Sequence, residues 1–274
     1  MSALHASGKR RWSGRLTSAE GWVIPLLVLA VWDLSARLAW VDPRLWAPPA
    51  EVISTAFVQI SDGTVFVHVL ASLQRQILGF VLGSSIGLAL GVVLASSRLA
   101  DQLFGPLLHA IKQVAIFTWI PLLSIWVGSG ELAKVTFIAL ACVFPVMLGA
   151  YEGVRGIDPR FREVADALQL TRAQKIRRLI IPSALPAILG GLQLALIFAW
   201  LAVIGADYFF IAAPGLGTSM LEGRDHFQMD VVIFDMLVIG LIGFGYIQLA
   251  RRAEGRLLRW QGSARAKPKG LIRP

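Results

Sequence analysis

The sequence predicts an all-α integral membrane protein with six spanning helices. Of its 274 residues 56% are apolar and 16% charged, against roughly 45–50% and about 25% in soluble domains. The apolar residues fall in blocks of about 20 or more, the length that crosses roughly 30 Å of hydrocarbon. Positive charge gathers between alternate blocks, as it does in cytoplasmic loops. Helices follow because lipid offers no partner for open backbone groups. The net charge of +9 does not mark a nucleic-acid binder, since the basic residues sit in loops rather than along one soluble face. Cys142 is the sole cysteine and lies in an apolar block, so one chain builds neither a disulfide nor a paired-cysteine metal site.

The chain opens with a basic tail, residues 1–21, whose Lys9, Arg10, Arg11 and Arg15 precede an apolar run from Trp22. That layout resembles a signal peptide, but no convincing cleavage site follows. The run is read as a retained first helix over 22–40. Within it Asp33 and Arg37, four apart, pair on one helix face. Residues 41–64 form an extracytoplasmic connection, where Pro48 and Pro49 are followed by Ile53, Phe57 and Ile60 on one face of a short helix at the outer membrane surface.

The second span, 71–95, carries Gly79, Gly83, Gly87 and Gly91, a smooth stripe that lets another helix approach closely inside the subunit or between subunits. The remaining spans are expected as single helices over 104–127, 131–150, 188–212 and 230–250. Charges inside spans are costly and invite a functional reading. Arg75 and Lys134 lie near span ends and are expected to snorkel. Lys112 lies deeper, either snorkelling inward or facing a water-filled pathway where it attracts an anion. Asp207 and Asp235 carry the same ambiguity. Residues 253–274 form a basic tail with too few apolar groups after Trp260 to pack, expected to be mobile in the cytoplasm. With the amino terminus inside, 20 of the 26 Lys and Arg residues fall on inner segments, which places both termini in the cytoplasm.

The inner loop 151–187 is the most informative stretch. Asp158 before Pro159 is a helix start, and a short helix runs to about Leu168. Thr171 with Gln174 forms a capping-box pattern, so a second helix is expected from there until Pro182. The first helix sets Phe161, Val164, Ala165 and Leu168 beside Arg160, Arg162, Glu163 and Asp166, an apolar ridge edged by charge that no lipid contact requires. Such a ridge fits a groove on a soluble partner.

Here the residues resemble a known family. Glu163-Val164-Ala165, then Gln169, then Ile180-Ile181-Pro182 resemble the EAA loop of ABC importer permeases, with Val164 for the first Ala, Gln169 for the usual Gly and Ile181 for Leu. The resemblance extends through Val41-Asp42-Pro43-Arg44, Pro48-Pro49-Ala50-Glu51-Val52, Trp119-Ile120-Pro121-Leu122, Gly128-Ser129-Gly130-Glu131, Val154 to Pro159 and Gly215-Leu216-Gly217 to permeases for sulfonates, taurine and nitrate. The stretch Gly223 to Val232 is most similar to aliphatic sulfonate permeases. Gln113-Val114-Ala115-Ile116 departs from it, standing where the family commonly has prolines.

The resemblance implies a type I, MetI-like architecture in the bacterial inner membrane, with residues 65–252 as the ABC transmembrane type-1 domain. It implies a translocation pathway for a small anionic solute, an aliphatic sulfonate first, with taurine, nitrate or a pyrimidine precursor as alternatives. It implies a second permease subunit, in a homodimer first with a heterodimer as the alternative, two ABC ATPase subunits and an extracytoplasmic solute-binding protein. Coupling to the ATPase falls to Arg160, Phe161, Glu163, Val164, Ala165, Leu168, Gln169 and Pro182. Asp207 stands where the family usually has Glu, which points to gating or packing.

No cofactor is expected on this chain, because no glycine-rich phosphate loop is present and ATP must bind a partner. The chain is therefore not expected to be an enzyme: no HExxH motif occurs, and His5, His68, His109 and His226 are scattered. An ion-coupled secondary transporter is the remaining rival, but such proteins show broken helices in matching halves rather than a long charged inner loop.

Overall fold

The computed structural model describes residues 20–38, 40, 42, 45–210 and 214–258. Of the basic tails expected at 1–21 and 253–274, residues 1–19 and 259–274 lie outside them, while residues 20–21 belong to the first helix and 253–257 to the last, which corrects the tail boundaries. The described residues form eleven α-helices. Helix α1, Glu20–Arg37, meets α2, Pro49–Ser61, through Trp32, whose indole N–H donates to the Ala47 carbonyl at 3.1 Å. Asp33 and Arg37 pair at 2.7 Å on α1. On α2 the small Val52 is buried while Ile53, Phe57 and Ile60 are exposed.

Helix α3, Thr64–Ser96, starts seven residues before the span read from hydropathy, because the apolar Val65 to Leu70 extend the same helix. It packs with α6, Glu131–Arg155, and α9, Ile181–Phe209, as the core of the bundle. The reason is small residues. A Cβ at Gly79, Gly83, Gly87 or Gly91 would come within 2.1–2.5 Å of atoms of Ile138, Ala139, Val143 or Met147 on α6. The α6–α9 contact repeats the device: a Cβ at Gly149 would meet the Ala187 carbonyl oxygen at 2.6 Å, and one at Gly191 the Pro145 carbonyl oxygen at 2.7 Å. Backbones this close gain dispersion and lose little side-chain entropy, the drive available where lipid removes the hydrophobic one. Ala195, Ala199, Ala202 and Ala206 of α9 complete the seam with Phe137, Cys142 and Val146 of α6.

The expected continuous helix over 104–127 is corrected. Helix α4, Arg98–Ile111, and the segment from Ile116 to Trp126 meet at 96°. The segment is a 3-10 turn, Ile116–Trp119, running into α5, Ile120–Trp126. Gln113 and Val114 bond carbonyls only three residues back, which tightens the end of α4, and Ala115 is extended with ψ 134°. Pro121 offers no N–H, so it suits the first turn of a new helix rather than the middle of an old one.

The loop 151–187 is also corrected in its second half. It holds α7, Pro159–Ala167, and the short α8, Arg172–Lys175, but no helix ends at Pro182. A π turn, Ile176–Ile180, leads straight into α9, so Arg172–Phe209 is one helical run of 38 residues. The wider turn just ahead of Pro182 and Pro186 frees the carbonyls that these prolines cannot bond and lets the helix pass. Helix α10, Leu216–Asp225, and α11, Met229–Leu257, close the fold. Among the described residues four helices are long and apolar enough to cross a membrane, α3, α6, the α8–α9 run and α11, or five if the bent α4–α5 pair counts as one span. Side chains such as Leu78, Leu82, Leu201 and Leu241 stand exposed on them, as lipid contact requires.

Candidate functional site

Two arrangements stand out, at opposite ends of α9. At its start, α7 projects between α6 and α8. The Asp158 carboxylate accepts the Arg160 amide at 2.9 Å and starts the helix. At the far end the Leu170 amide donates to the Ala165 carbonyl at 3.1 Å and the Gln169 amide to that of Asp166 at 2.9 Å. These are the two bonds of a Schellman stop, and they require a left-handed residue between them. Gln169 supplies it with φ 51°. Glycine adopts that conformation at no steric cost, which explains why a glycine suits this position and shows that Gln169 builds the same elbow under strain. Thr171 and Gln174 form the reciprocal capping box, at 3.4 and 2.9 Å, and Lys175 pairs with Asp166 across the elbow.

The side chains of α7 divide by face. Phe161, Val164 and Leu168 are exposed, the last by 67%, and Arg160, Glu163 and Gln169 stand around them in solvent. Ala165 is corrected as a member of the exposed ridge: it is 4% exposed and turned into its own subunit. Pro182 lies in the first turn of α9, well along from the ridge in sequence and joined to it through α8 and the π turn.

At the other end of α9, Asp207 is the centre of a buried charge cluster. Its Oδ1 accepts from Lys134 Nζ at 2.8 Å and from Arg75 Nη1 at 3.0 Å. Its Oδ2 accepts from the Gly217 amide at 3.3 Å and from Ser72 Oγ at 3.4 Å. The Arg75 guanidinium turns its other edge to Glu131, with Nε to Oε2 at 2.6 Å and Nη2 to Oε1 at 2.7 Å, and also donates to the Pro214 carbonyl at 2.9 Å. Two cations and two carboxylates balance, so the cluster is neutral as a whole, which a low-dielectric site demands. The expected snorkelling of Arg75 and Lys134 is corrected by this geometry: Lys134 is 0% and Arg75 4% exposed. A lysine on α6 and an arginine on α3 find a carboxylate closer than water.

The cluster also accounts for Gly215-Leu216-Gly217. A Cβ at Gly215 would sit 2.4 Å from Asp207 Oδ2, and one at Gly217 would sit 2.6 Å from Asp207 Cβ. Both positions must be bare for the start of α10 to reach the carboxylate, and the Leu216 amide is held by Ser72 Oγ at 3.0 Å. Sequence reasoning singled out Asp207 and quoted Glu131 within Gly128-Ser129-Gly130-Glu131, but missed the pairing of Glu131 with Arg75 and missed Ser72, which no local pattern marks. Lys112 lies elsewhere. It caps the end of α4 at the 96° break, half-buried, and joins neither arrangement.

A bundle of glycine-seamed helices with a projecting capped elbow is matched by one family profile, described as binding-protein-dependent transport system inner membrane component, over residues 83–258. The chain belongs to that family. Among similar proteins, one of Bacillus subtilis (strain 168) named as an aliphatic sulfonates transport permease, SsuC, is 30% identical over 89% of this chain and 88% of its own. The taurine transport system permease protein TauC of Escherichia coli (strain K12) is 30% identical over 93% of this chain and 94% of its own. An inward-facing structure of the MetNI methionine ABC transporter shares the fold, with a TM-score of 0.54 and 19% identity over 69% of this chain and 95% of that one. In this inner membrane component the α7 elbow and, of the charge cluster, Glu131, Lys134, Asp207 and Gly217 lie within the matched residues, whereas Arg75 and Ser72 precede them.

Proposed function

We propose that this transport component is the permease subunit of an ATP-driven ABC importer and passes a small anionic solute, an aliphatic sulfonate first. The observation that carries the reading is the exposed apolar face of α7, Phe161, Val164 and Leu168, on a chain of this family. A soluble ATPase subunit covers that face, with Arg160, Glu163 and Gln169 around it, and its closure on ATP moves α7. Pro182 lies where that motion enters α9. Ala165 serves from behind, by seating α7 on its own subunit.

Six crossings follow if α1 and the bent α4–α5 pair each count as one, and both termini then lie in the cytoplasm. Two copies of the chain form the pathway, and an extracytoplasmic binding protein supplies the solute. The sulfonate reading draws on two relatives whose names carry sulfonate compounds, one an aliphatic sulfonate and the other taurine. Lys112 at the break of a bent span offers the pathway a positive charge, in the way that interrupted helices serve ligand sites in other transporters.

Affinity purification of the tagged chain from its native membranes tests the reading. An ATPase subunit copurifies with the unaltered chain. Phe161→Glu and Leu168→Asp lose it while melting within about 0.5 kcal/mol of the parent, since both side chains are exposed. Retention of the ATPase by both variants rejects α7 as its seat. Uptake of labelled ethanesulfonate that taurine competes away, in cells carrying the full transporter, tests the solute class.

A further inference from the structure

A second polar cleft lies at the α7 end of the bundle, apart from the apolar face of α7. It encloses about 350 Å³ where the end of α3, the start of α4, the end of α6 and the start of α7 converge. Its polar walls are Arg98, Asp101, Arg155 and Arg162, three guanidinium groups against one carboxylate. Asp101 is already engaged, accepting from Arg155 and from the Tyr151 hydroxyl. Arg162 gives one N–H to the Val154 carbonyl at 3.1 Å. Arg98 has no hydrogen bond or ion pair from its side chain among the described residues. Asp158, next in sequence to the lining residues Ile157 and Pro159, accepts from the amide at its own helix start. The cleft therefore carries a surplus of two positive charges and several undirected donors, the requirement for a phosphate oxyanion.

What lies beside the cleft selects the source of that phosphate. From Arg98 onward α4 exposes Leu99, Leu103 and Leu107, four residues apart on one face, with Phe104 next to them. A free anion has no use for such a stripe. An anionic phospholipid has a phosphodiester for the arginines and acyl chains for the leucines, and basic pockets between helices at the inner membrane face suit such headgroups. We propose that this cleft binds the phosphodiester of an anionic phospholipid, with Arg98 and Arg162 as its principal contacts and the α4 leucines along its chains. Because Arg162 belongs to α7 and Arg98 to α4, the bound lipid ties the projecting elbow to the membrane. The inference rests on the reading above for the side of the membrane that α7 occupies, but its test does not.

The full chain in neutral detergent is titrated with phosphatidylglycerol, phosphatidylcholine or inorganic phosphate, and binding is read by native mass spectrometry and by the rise in melting temperature. Phosphatidylglycerol binds and phosphatidylcholine does not. The Arg98→Gln, Arg162→Gln double variant binds phosphatidylglycerol about thirty-fold more weakly, the effect of two basic side chains. The doubly conservative Arg98→Lys, Arg162→Lys variant keeps most of the affinity, as does Arg177→Gln, Arg178→Gln, whose exposed charges lie outside the cleft. Equal binding of phosphatidylcholine, or full affinity in the double glutamine variant, overturns the proposal. Inorganic phosphate bound as tightly as phosphatidylglycerol overturns the lipid source, as does full affinity in Leu99→Ser, Leu103→Ser. No ATPase or solute enters this assay, so failure of the unaltered chain to bind phosphatidylglycerol, with ATPase copurification intact, refutes the cleft alone.

Discussion

Gln169 carries a side chain through a backbone conformation that costs ordinary residues roughly 1–2 kcal/mol. Gln169→Gly should therefore raise the stability of the α7 elbow by about 0.5–1 kcal/mol after allowing for the freer unfolded chain. Thermal unfolding in detergent checks it, and a lower melting temperature rejects the strain. Asp207 works in the opposite sense. Asp207→Ala removes the enclosed carboxylate that Lys134 and Arg75 share, and should cost about 3–5 kcal/mol. Low yield and early melting are the expected signs, and Lys134→Met combined with Asp207→Ala should recover much of the loss. The Asp158 cap and the Thr171–Gln174 box were legible in the sequence because each partner lies two or three residues away. The Arg75–Asp207 contact was not, because 132 residues separate the two and only the packing of α3 against α9 brings them together.

At the scale of elements, the glycine stripe could be read from its spacing, but its partner could not. Nothing in four glycines names α6, whose Ala139, Val143 and Met147 backbones lie against them. The contrast with Gly190 on α9, which has open space around it, gives a paired test. Gly83→Ala places a Cβ 2.1 Å from the Ala139 carbonyl oxygen and should destabilise by about 1–3 kcal/mol, because a backbone cannot step aside. Gly190→Ala should be neutral or gain about 0.5–1 kcal/mol from helix propensity. Equal melting of the two variants rejects the α3–α6 seam. The break at 112–115 escaped a hydropathy reading for a different reason. Apolar content is the same on both sides of a bend, and the signals that mark it, an extended Ala115 and a proline suited to a new first turn, are weak beside a long apolar run.

For the whole molecule the decisive quantity is which face of the bilayer α7 occupies. In a Cys142→Ala background, Ala167→Cys should react with a membrane-impermeant maleimide only after the cells are opened. Asp225→Cys, at the end of α10, should react in intact cells. The reverse pattern inverts the topology and removes the ATPase from α7. Hydropathy sufficed for the four long apolar helices and their order; the way three of the helices close around a neutral charge cluster was not legible there, since hydropathy treats an enclosed lysine and a solvated one alike.

The unbroken run from Arg172 to Phe209 is 38 residues, about 57 Å at 1.5 Å per residue, nearly twice the roughly 30 Å hydrocarbon layer. A beam of that length turns small rotations into atomic-scale travel: one degree of tilt at the Arg172 end displaces the Asp207 carboxylate by about 1 Å, as much as separates a sound hydrogen bond from a lost one.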